Sequence, residues 1–396
     1  MRTMKRVAAV ALSVVVLMTS GVSAKAAVTD VQPAKSSSEA VLKWAKKVGE
    51  PFDEKTYANN TVSKIKLVGN YLYVADDAKH RIMKIDKKDG TILKEQKYYD
   101  ESYIQGYVSS IGYGDNKVYV GYDNGRVQAF DENTLESLWI TDENKNAINA
   151  DFVFTNGKLY FGTTAKTTDW YDNGAPFSYY VVTTSDDDKT KPDEEKTMKK
   201  VVESKTGKFY SKKGVVLGKY IVISDTAGTL TMIDTTNDKV TDTKDIGEAF
   251  SGNITYDEMT GTIYFVAGTN DLYGIKVSAD GKLKDEKKVR LYETGYSATT
   301  PEVYNGKVYV SGSKGKAFQD KGHMAVADVS SDKYKVNYTV ELSNYSQCEP
   351  TIVKTGENSV RVYFTINDEP GGIYAIEDSK DATSATLETV YEPTGD

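Results

Sequence analysis

Short runs of alternating apolar and aromatic residues recur along the chain. Each run follows a turn that contains Gly or Asn, and successive runs begin 41 to 62 residues apart. The runs cover residues 71–75, 117–121, 158–162, 220–224, 262–266, 307–311 and 361–365. Their Val, Ile, Tyr and Phe residues suit a pleated sheet, and both faces of each run are apolar. This pattern predicts strands that are buried on both sides.

The sequence around each run predicts three further strands. Asn305-Gly306 precedes one run, and this dipeptide favours the positive φ angles of a tight hairpin. After another run, Asp123-Asn124-Gly125 predicts a second hairpin, followed by strands at 126–130 and 135–140. Four strands in each period of about 40 to 50 residues are typical of a propeller blade. We therefore predict an all-β fold, a β-propeller with seven four-stranded blades.

Residues 41–48 predict an extra outer strand near the N-terminus. Closed propellers commonly use such a strand to complete the last blade, which removes an open sheet edge. Here the last repeat already holds its own fourth strand at 386–391. We therefore predict an incomplete eight-bladed ring whose final blade lacks its inner three strands. A closed seven-bladed ring with residues 41–48 displaced is the alternative.

The N-terminus has the features of an export signal. Arg2, Lys5 and Arg6 precede an apolar stretch at 7–17, and Ala24-Lys25-Ala26 fits a signal-peptidase site. We predict a signal peptide at 1–26, a linker at 27–40 and the propeller at 41–396, with an insertion in the third blade at about 163–199. The protein is therefore expected to be secreted or held at the cell surface. No later apolar run reaches the length of a membrane span.

Composition excludes several functional classes. The chain of 396 residues has a net charge of −7, whereas a nucleic-acid-binding protein needs a basic face. Cys348 is the single cysteine, so a disulfide framework and a multi-cysteine metal site are both excluded. His80 and His323 are the two histidines and leave few candidates for a general base. We predict neither a metal nor a cofactor.

The segments between the third and fourth strands resemble a known repeat. Residues 85–93 and 129–139 are similar to the A-x-D-x-x-T-G-x-x-x-W repeat of the pyrroloquinoline-quinone-like β-propellers. That family includes the outer-membrane assembly propeller, a non-enzymatic scaffold, and the quinoprotein dehydrogenases. The resemblance implies that Trp44 and Trp139 dock on neighbouring blades and that Asp86 and Asp131 cap their turns. It covers residues 41–391 and indicates the fold more strongly than a function.

The insertion contains a candidate ligand-binding loop. Asp169, Trp170, Tyr171 and Asp172 place two aromatic rings between carboxylates. Aromatic residues on long loops often contact sugars or peptides. Most loops of this kind pack back onto the propeller face, and this structural role is the alternative for the loop.

Two classes of function fit the sequence. The first is an exported, non-catalytic propeller that serves as a docking platform for a protein or surface glycan. The second is a glycan-binding, small-ligand-binding or lyase-type propeller that acts through its central channel. A quinone-dependent dehydrogenase is a third alternative, but a chain with one cysteine lacks the adjacent cysteines that the resemblance implies near its cofactor. We favour the non-enzymatic platform. The side chains that line the central channel should distinguish this platform from a propeller that binds or cleaves a ligand in the channel.

Overall fold

The computed structural model describes a repetitive all-β structure. It describes residues 44, 62–99, 104, 109–149, 151–166, 176–185, 195–209, 213–250, 252–268, 270–293, 295, 299–315, 321–346, 348–367 and 372–391. None of these residues lies in a helix. The predicted signal peptide, the linker and all of the predicted outer strand except Trp44 lie outside the described residues.

Within the described ranges the strands form seven sheets, numbered here in chain order. Sheets 1 to 3 contain β1 (Lys66–Val68), β2 (Tyr71–Asp76), β3 (Arg81–Asp86) and β4 (Ile92–Lys97); β5 (Ile111–Gly114), β6 (Lys117–Gly121), β7 (Val127–Asp131) and β8 (Ser137–Thr141); and β9 (Val153–Thr155), β10 (Lys158–Gly162), β11 (Phe177–Thr183) and β13 (Lys199–Ser204). A short strand, β12 (Glu195–Lys196), joins sheet 2 as a fifth strand.

Sheets 4 to 7 repeat the same order. They contain β14 (Val215–Leu217), β15 (Tyr220–Ser224), β16 (Thr229–Asp234) and β17 (Lys239–Asp245); β18 (Thr255–Asp257), β19 (Thr262–Ala267), β20 (Asp271–Val277) and β21 (Leu283–Arg290); β22 (Glu302–Tyr304), β23 (Lys307–Ser313), β24 (Gly322–Asp328) and β25 (Lys335–Leu342); and β26 (Thr351–Lys354), β27 (Ser359–Ile366), β28 (Gly372–Ser379) and β29 (Leu387–Tyr391). Apart from the added β12 in sheet 2, each of the seven sheets is an antiparallel meander of four strands, as predicted for a propeller blade.

The predicted apolar runs form the second strand of each sheet. β10 and β15 have the predicted limits, and β27 begins two residues earlier than predicted. The turn before β23 is formed by Asn305 at φ 47° and Gly306 at φ 75°, which confirms the predicted tight hairpin. The predicted insertion at 163–199 contains β11, the third strand of sheet 3. The extra residues of that repeat therefore divide into one stretch before β11 and one stretch after it.

Neighbouring sheets are held together by buried apolar side chains. Sheets 1 and 2 share a cluster that includes Tyr73, Val118 and Phe130. Equivalent clusters join each following pair, and the last is shared by sheets 6 and 7. Among the described residues no such cluster joins sheet 7 to sheet 1. The free face of sheet 1 instead packs against Trp44 through Val74 and its neighbours.

Tyrosines of the repeated motif fasten one sheet to the next through their hydroxyl groups. Tyr160 on β10 donates to Asp238 Oδ1 at 2.7 Å, in the last turn of sheet 4. Tyr73 on β2 makes the corresponding contact, donating to the carbonyl oxygen of Glu132 in sheet 2 at 2.7 Å. Tyr264 on β19 lies beside Tyr334 in the corresponding turn of sheet 6. The motif therefore supplies both apolar packing and a hydrogen bond between sheets.

The most deeply buried of these contacts joins sheets 6 and 7. Asp378 has no exposed side-chain surface, and its carboxylate lies 3.0 Å from the Lys307 ammonium group. Tyr309 and Tyr338 both donate hydrogen bonds to this carboxylate, at 2.6 and 2.7 Å. Lys307 also donates to the carbonyl oxygens of Ser379 and Ala382. A buried charge pair needs such additional partners to offset its desolvation.

The outward edges of the sheets differ in chemistry. The fourth strands β4 and β21 carry alternating charged residues and are mostly exposed. β8, with the sequence Ser-Leu-Trp-Ile-Thr, is largely apolar and buried. β12 from the third repeat pairs with it in parallel, opposite Ile140 and Thr141. Of the fourth strands β4, β8 and β21, only β8 is apolar, and β12, which follows β11 in the chain, pairs with the end of its outer edge.

Candidate functional site

The first strands of the sheets surround a central channel. β1 lies beside β5, β5 beside β9, and β9 beside β14, and the first strands of sheets 5, 6 and 7 continue this arrangement. A cavity of about 460 Å³ runs along the channel and is lined by residues of sheets 1, 3, 4, 5, 6 and 7. Most of its lining comes from first strands and from the segments that precede them. The repeat therefore places equivalent positions around a common space.

One equivalent position forms a polar ring at one end of the channel. In each of the seven described sheets, the residue two positions before the first strand is polar. These residues are Lys64, Ser109, Asp151, Lys213, Asn253, Thr300 and Glu349. All of them except Ser109 line the cavity. We call this set the channel mouth.

Hydrogen bonds and an ion pair connect neighbours around the channel mouth. The backbone N–H of Lys64 donates to the carbonyl oxygen of Ser109 at 3.0 Å. The backbone N–H of Lys213 donates to Asn253 Oδ1 at 2.9 Å. Lys64 Nζ lies 3.8 Å from Asp151 Oδ1, which also accepts a hydrogen bond from the Ser110 hydroxyl. The channel mouth therefore combines two lysines, two carboxylates and three uncharged polar residues, some of which contact one another.

Lys66 lies on β1, two residues after Lys64 of the channel mouth. Burial lowers the pKa of Lys66, repulsion from Lys213 lowers it further, and Asp151 opposes both effects. Lys213 precedes the first strand of sheet 4 and lines the cavity. Glu302 on β22 is buried and lines the cavity on the side of sheet 6.

Neither of the two described tryptophans offers a stacking surface for a quinone cofactor in the cavity. Such a cofactor needs a flat stacking surface in the channel and a set of ligands for a bound cation. Trp44 packs on sheet 1 and Trp139 lies between sheets 2 and 3, so neither ring reaches the cavity. The mouth instead presents lysines beside single carboxylates. Within the described residues no group of three His, Cys, Asp or Glu side chains is placed to hold a metal ion.

Trp44 and Asp86, predicted as docking and capping residues, meet at the same turn of sheet 1. Trp44 Nε1 donates to the carbonyl oxygen of Lys87 at 2.9 Å. Gly90 at φ 73° lies under the indole ring, where a Cβ atom would come within 2.6 Å of Trp44 Cε3. Asp86 Oδ1 accepts the backbone N–H of Lys88 at 2.8 Å. Both side chains therefore hold the turn that follows β3.

Trp139 and Asp131 occupy sheet 2. Asp131 Oδ1 accepts hydrogen bonds from the backbone N–H groups of Asn133 and Thr134, which lowers the pKa of this carboxyl. Trp139 is buried against Tyr119 and shares a cluster with side chains of sheet 3. Lys196 Nζ lies 4.8 Å from the centre of its ring. Trp139 thus packs between two sheets.

The predicted ligand-binding loop lies outside the described residues. Asp169, Trp170, Tyr171 and Asp172 therefore stay a prediction from the sequence. Sequence reasoning did not find the channel mouth. The sequence does carry a signal, because every repeat has a polar residue two positions before its first strand. That position can be recognised only once the first residue of each first strand is known.

The two histidines occupy different environments. His80 is exposed on the hairpin turn between β2 and β3. His323, on β24, is buried against Tyr292, with the ring centres 3.4 Å apart, and its Nε2 has no hydrogen-bond partner among the described residues. Burial lowers the pKa of His323 to about 4, with a contribution from Lys314 that Glu341 opposes.

We expect His323 to make the fold sensitive to acid. The unfolded chain takes up a proton near pH 6.5, whereas the folded protein resists protonation until about pH 4. The free energy of unfolding should therefore fall as the pH drops from about 6.5 to about 4, by up to about 3 kcal/mol. Urea denaturation across this range measures the slope. His323→Leu should flatten it, whereas His80→Gln should retain it; an unchanged slope in His323→Leu would contradict the assignment.

Comparisons with known proteins agree with this architecture. An LVIVD repeat model matches residues 61–80, which span the first hairpin of sheet 1. A europium-containing methanol dehydrogenase superposes with a TM-score of 0.53 at 12% identity, covering 76% of this chain and 73% of that chain. A quinohemoprotein alcohol dehydrogenase from Comamonas testosteroni superposes with a TM-score of 0.51 at 12% identity, covering 84% and 68%. The chain has the fold of the quinoprotein β-propellers.

BamB from Moraxella catarrhalis is also similar, with a TM-score of 0.48 at 14% identity over 81% of this chain and 94% of that chain. A search of the curated proteins found no matching sequence. In total 1447 solved chains match, so the fold is common and does not by itself specify a function. The resemblance derived from the repeat is thus confirmed for the fold. Among the described residues no helix has the length and apolar character needed to cross a membrane.

Proposed function

We propose that this chain is an exported, non-catalytic β-propeller that docks a protein or surface-glycan partner at its channel mouth. The observation that carries the proposal is the polar ring to which every described sheet contributes one residue. A rigid frame of packed sheets can present such a ring with little loss of conformational entropy on binding. Charged groups on the ring would select the partner's charge pattern and its orientation.

The position of the perturbed tyrosines supports a non-catalytic role. Burial raises the pKa of Tyr309, Tyr338 and Tyr160 far above the usual value, and hydrogen bonds to carboxylates add to the effect. Strongly shifted groups often mark catalytic sites. Here these three lie at contacts between neighbouring sheets, where they stabilise the frame. The raised pKa values of these tyrosines are thus explained by packing between the sheets.

Site-specific crosslinking on the producing cells tests the proposal. A photoreactive amino acid replaces Lys64, an exposed residue of the channel mouth, in the full chain. We expect light to produce a crosslinked species in the extracellular or cell-surface fraction, from which the partner is identified by mass spectrometry. The physical reason is that a partner docked on the ring lies within reach of a probe at position 64.

Met259 provides the matched control. It is 84% exposed in the turn between β18 and β19, at the opposite end of a first strand. The same photoreactive residue at position 259 should give no specific product. Equal crosslinking from both positions, or none from position 64, would contradict docking at the channel mouth. Recovery of the chain only from inside the cell would contradict export.

A further inference from the structure

The lining of the channel cavity is more acidic behind the mouth than at the mouth itself. The charged lining residues of the channel mouth are Lys64, Lys213, Asp151 and Glu349. Positive and negative charges therefore balance at that level. Deeper in the cavity the charged lining residues are Glu302 on β22 and Glu258 in the turn after β18. Within the described residues no lysine or arginine lines this deeper part, so its charged lining is acidic only.

The two deeper carboxylates lie at different depths. The repeat aligns the first strands, so depth is measured in residues from the mouth position of each sheet. Glu302 is two residues beyond Thr300, and Glu258 is five residues beyond Asn253. At about 3.3 Å per residue, these levels lie about 7 Å and about 16 Å from the mouth. The charges are therefore spread along the channel instead of converging on one point.

Unpartnered polar groups also face the cavity. Thr300 lines it and is only 9% exposed, yet its hydroxyl makes no hydrogen bond within the described residues. The same is true of the Tyr256 hydroxyl and the Glu258 carboxylate, and Glu258 makes no ion pair with any described residue. A buried hydroxyl without a partner costs free energy, which a polar ligand in the cavity would recover.

The far end of the cavity opens into a second space. Val216, Tyr256 and Glu258 also line a groove of about 550 Å³ between sheets 4 and 5. The lysine of this groove, Lys219, is paired with Asp234 at 2.9 Å. Glu258 is therefore the uncompensated charge where the two spaces meet, and a cation can reach it without passing the lysines of the mouth.

These features fit a linear polyamine better than a metal ion. A metal ion needs ligands that converge, and no such group of His, Cys, Asp or Glu occurs in the part of the chain that the structure describes. Separated ammonium groups can each meet one carboxylate through charge-assisted hydrogen bonds. The methylene groups between them would lie against Val216, Ile254 and Val303 of the lining.

We propose that the channel binds a linear polyamine, with one ammonium group at Glu302 and another at Glu258. The Tyr256 ring and hydroxyl would contact the second ammonium group. The cavity of about 460 Å³ has the size of a small-ligand site. This inference goes beyond the proposed function, because it concerns the interior of the channel and not a partner docked on its mouth.

Calorimetric titration of the full chain with spermine tests the site. The ionic strength is held constant, so that general screening does not change. We expect saturable binding that Mg²⁺ at the same charge concentration does not displace. Acetylated tetralysine amide carries the same number of ammonium groups on a bulkier chain and should bind at least about tenfold more weakly. Absence of saturable spermine binding, full displacement by Mg²⁺, or equal affinity for tetralysine would each overturn the proposal.

Variants connect the binding to the deeper carboxylates. Glu258→Gln should weaken the affinity for spermine by about tenfold or more, because it removes a charged acceptor. Glu357→Gln is the matched control, since Glu357 is exposed in the corresponding turn of sheet 7 and does not line the cavity. It should leave the affinity unchanged.

Two further variants keep the test independent of any single substitution. Lys213→Gln should increase the affinity by about twofold to threefold, because it removes a positive charge from the lining. Thr300→Val keeps the shape of the side chain and should weaken binding by about threefold or more. Glu258 and Lys213 are both exposed, so their replacement leaves the fold intact. Equal affinities in Glu258→Gln and in the parent chain would overturn the proposal.

The outcome is separable from that of the docking experiment. Crosslinking at position 64 requires neither Glu258 nor Glu302. A crosslinked partner together with no polyamine binding would leave the proposed function standing and reject the polyamine site.

Discussion

Replacing Asp378 with Ala should lower the free energy of unfolding by about 3–5 kcal/mol, because the buried Lys307 ammonium group then has no carboxylate partner. The Tyr309 and Tyr338 hydroxyls lose their acceptor in the same variant. Lys307 keeps two carbonyl partners, which do not compensate its charge. Urea denaturation measures the total loss. Hydrogen exchange should show that protection falls first in β26 to β29, since sheet 7 is fastened to sheet 6 at this point.

Asp238→Ala is the matched control for this variant. Asp238 likewise accepts from a lysine, Lys158, and a motif tyrosine, Tyr160, at the contact between sheets 3 and 4, and it also pairs with the exposed Lys199. Its side chain and that of Lys158 are 10% and 22% exposed, so water can solvate the remaining lysine. A smaller loss of about 1–2 kcal/mol is expected there. If both variants lost the same stability, burial of the charge would not be the reason for the effect.

Replacing Trp139 with Ala should destabilise the protein by about 3–5 kcal/mol, the usual cost of removing a large buried aromatic ring. The ring is 1% exposed and fills the space between sheets 2 and 3, next to Leu159 and Phe161. The variant also removes the surface on which Lys196 lies, so the pairing of β12 with β8 should weaken. Circular dichroism during urea denaturation measures the effect without relying on tryptophan fluorescence.

Trp44→Ala serves as the comparison for Trp139→Ala. Trp44 is half-buried and its indole nitrogen makes one hydrogen bond, so a loss of about 1–2 kcal/mol is expected. Trp139→Phe should recover part of the stability by refilling the cavity. A loss in Trp139→Ala no larger than that in Trp44→Ala would show that the ring between sheets 2 and 3 is not a principal contact.

Local alternation was enough to predict the second strand of each sheet. The apolar runs specify a strand that is buried on both faces, and the short turns beside them place the neighbouring strands. The hydroxyl partners of the motif tyrosines were not predictable in the same way. Tyr160 meets Asp238 from the next repeat, and that pairing depends on how two sheets stack rather than on the spacing inside one sheet.

The channel mouth illustrates the same limit for function. Its residues share polarity and position but no residue type, since Lys64, Asp151 and Asn253 occupy equivalent places. These residues can be grouped only when the arrangement of the first strands around the channel is known. The aromatic loop at 169–172 was easier to notice because Trp and Tyr stand out in sequence. The residues that stand out in the sequence are therefore not the residues that the fold brings together at the channel mouth.

The contrast between the outward strands affects how molecules of this protein meet at high concentration. An unpaired strand edge can template the addition of a strand from another molecule, which is the first step toward fibrous aggregates. A strand approaching β4 or β21 would meet closely spaced lysine and glutamate side chains. β8 carries no charged side chain, but β12 already pairs with its last two residues, Ile140 and Thr141. The irregular third repeat therefore blocks the end of this edge against the addition of a strand from another molecule.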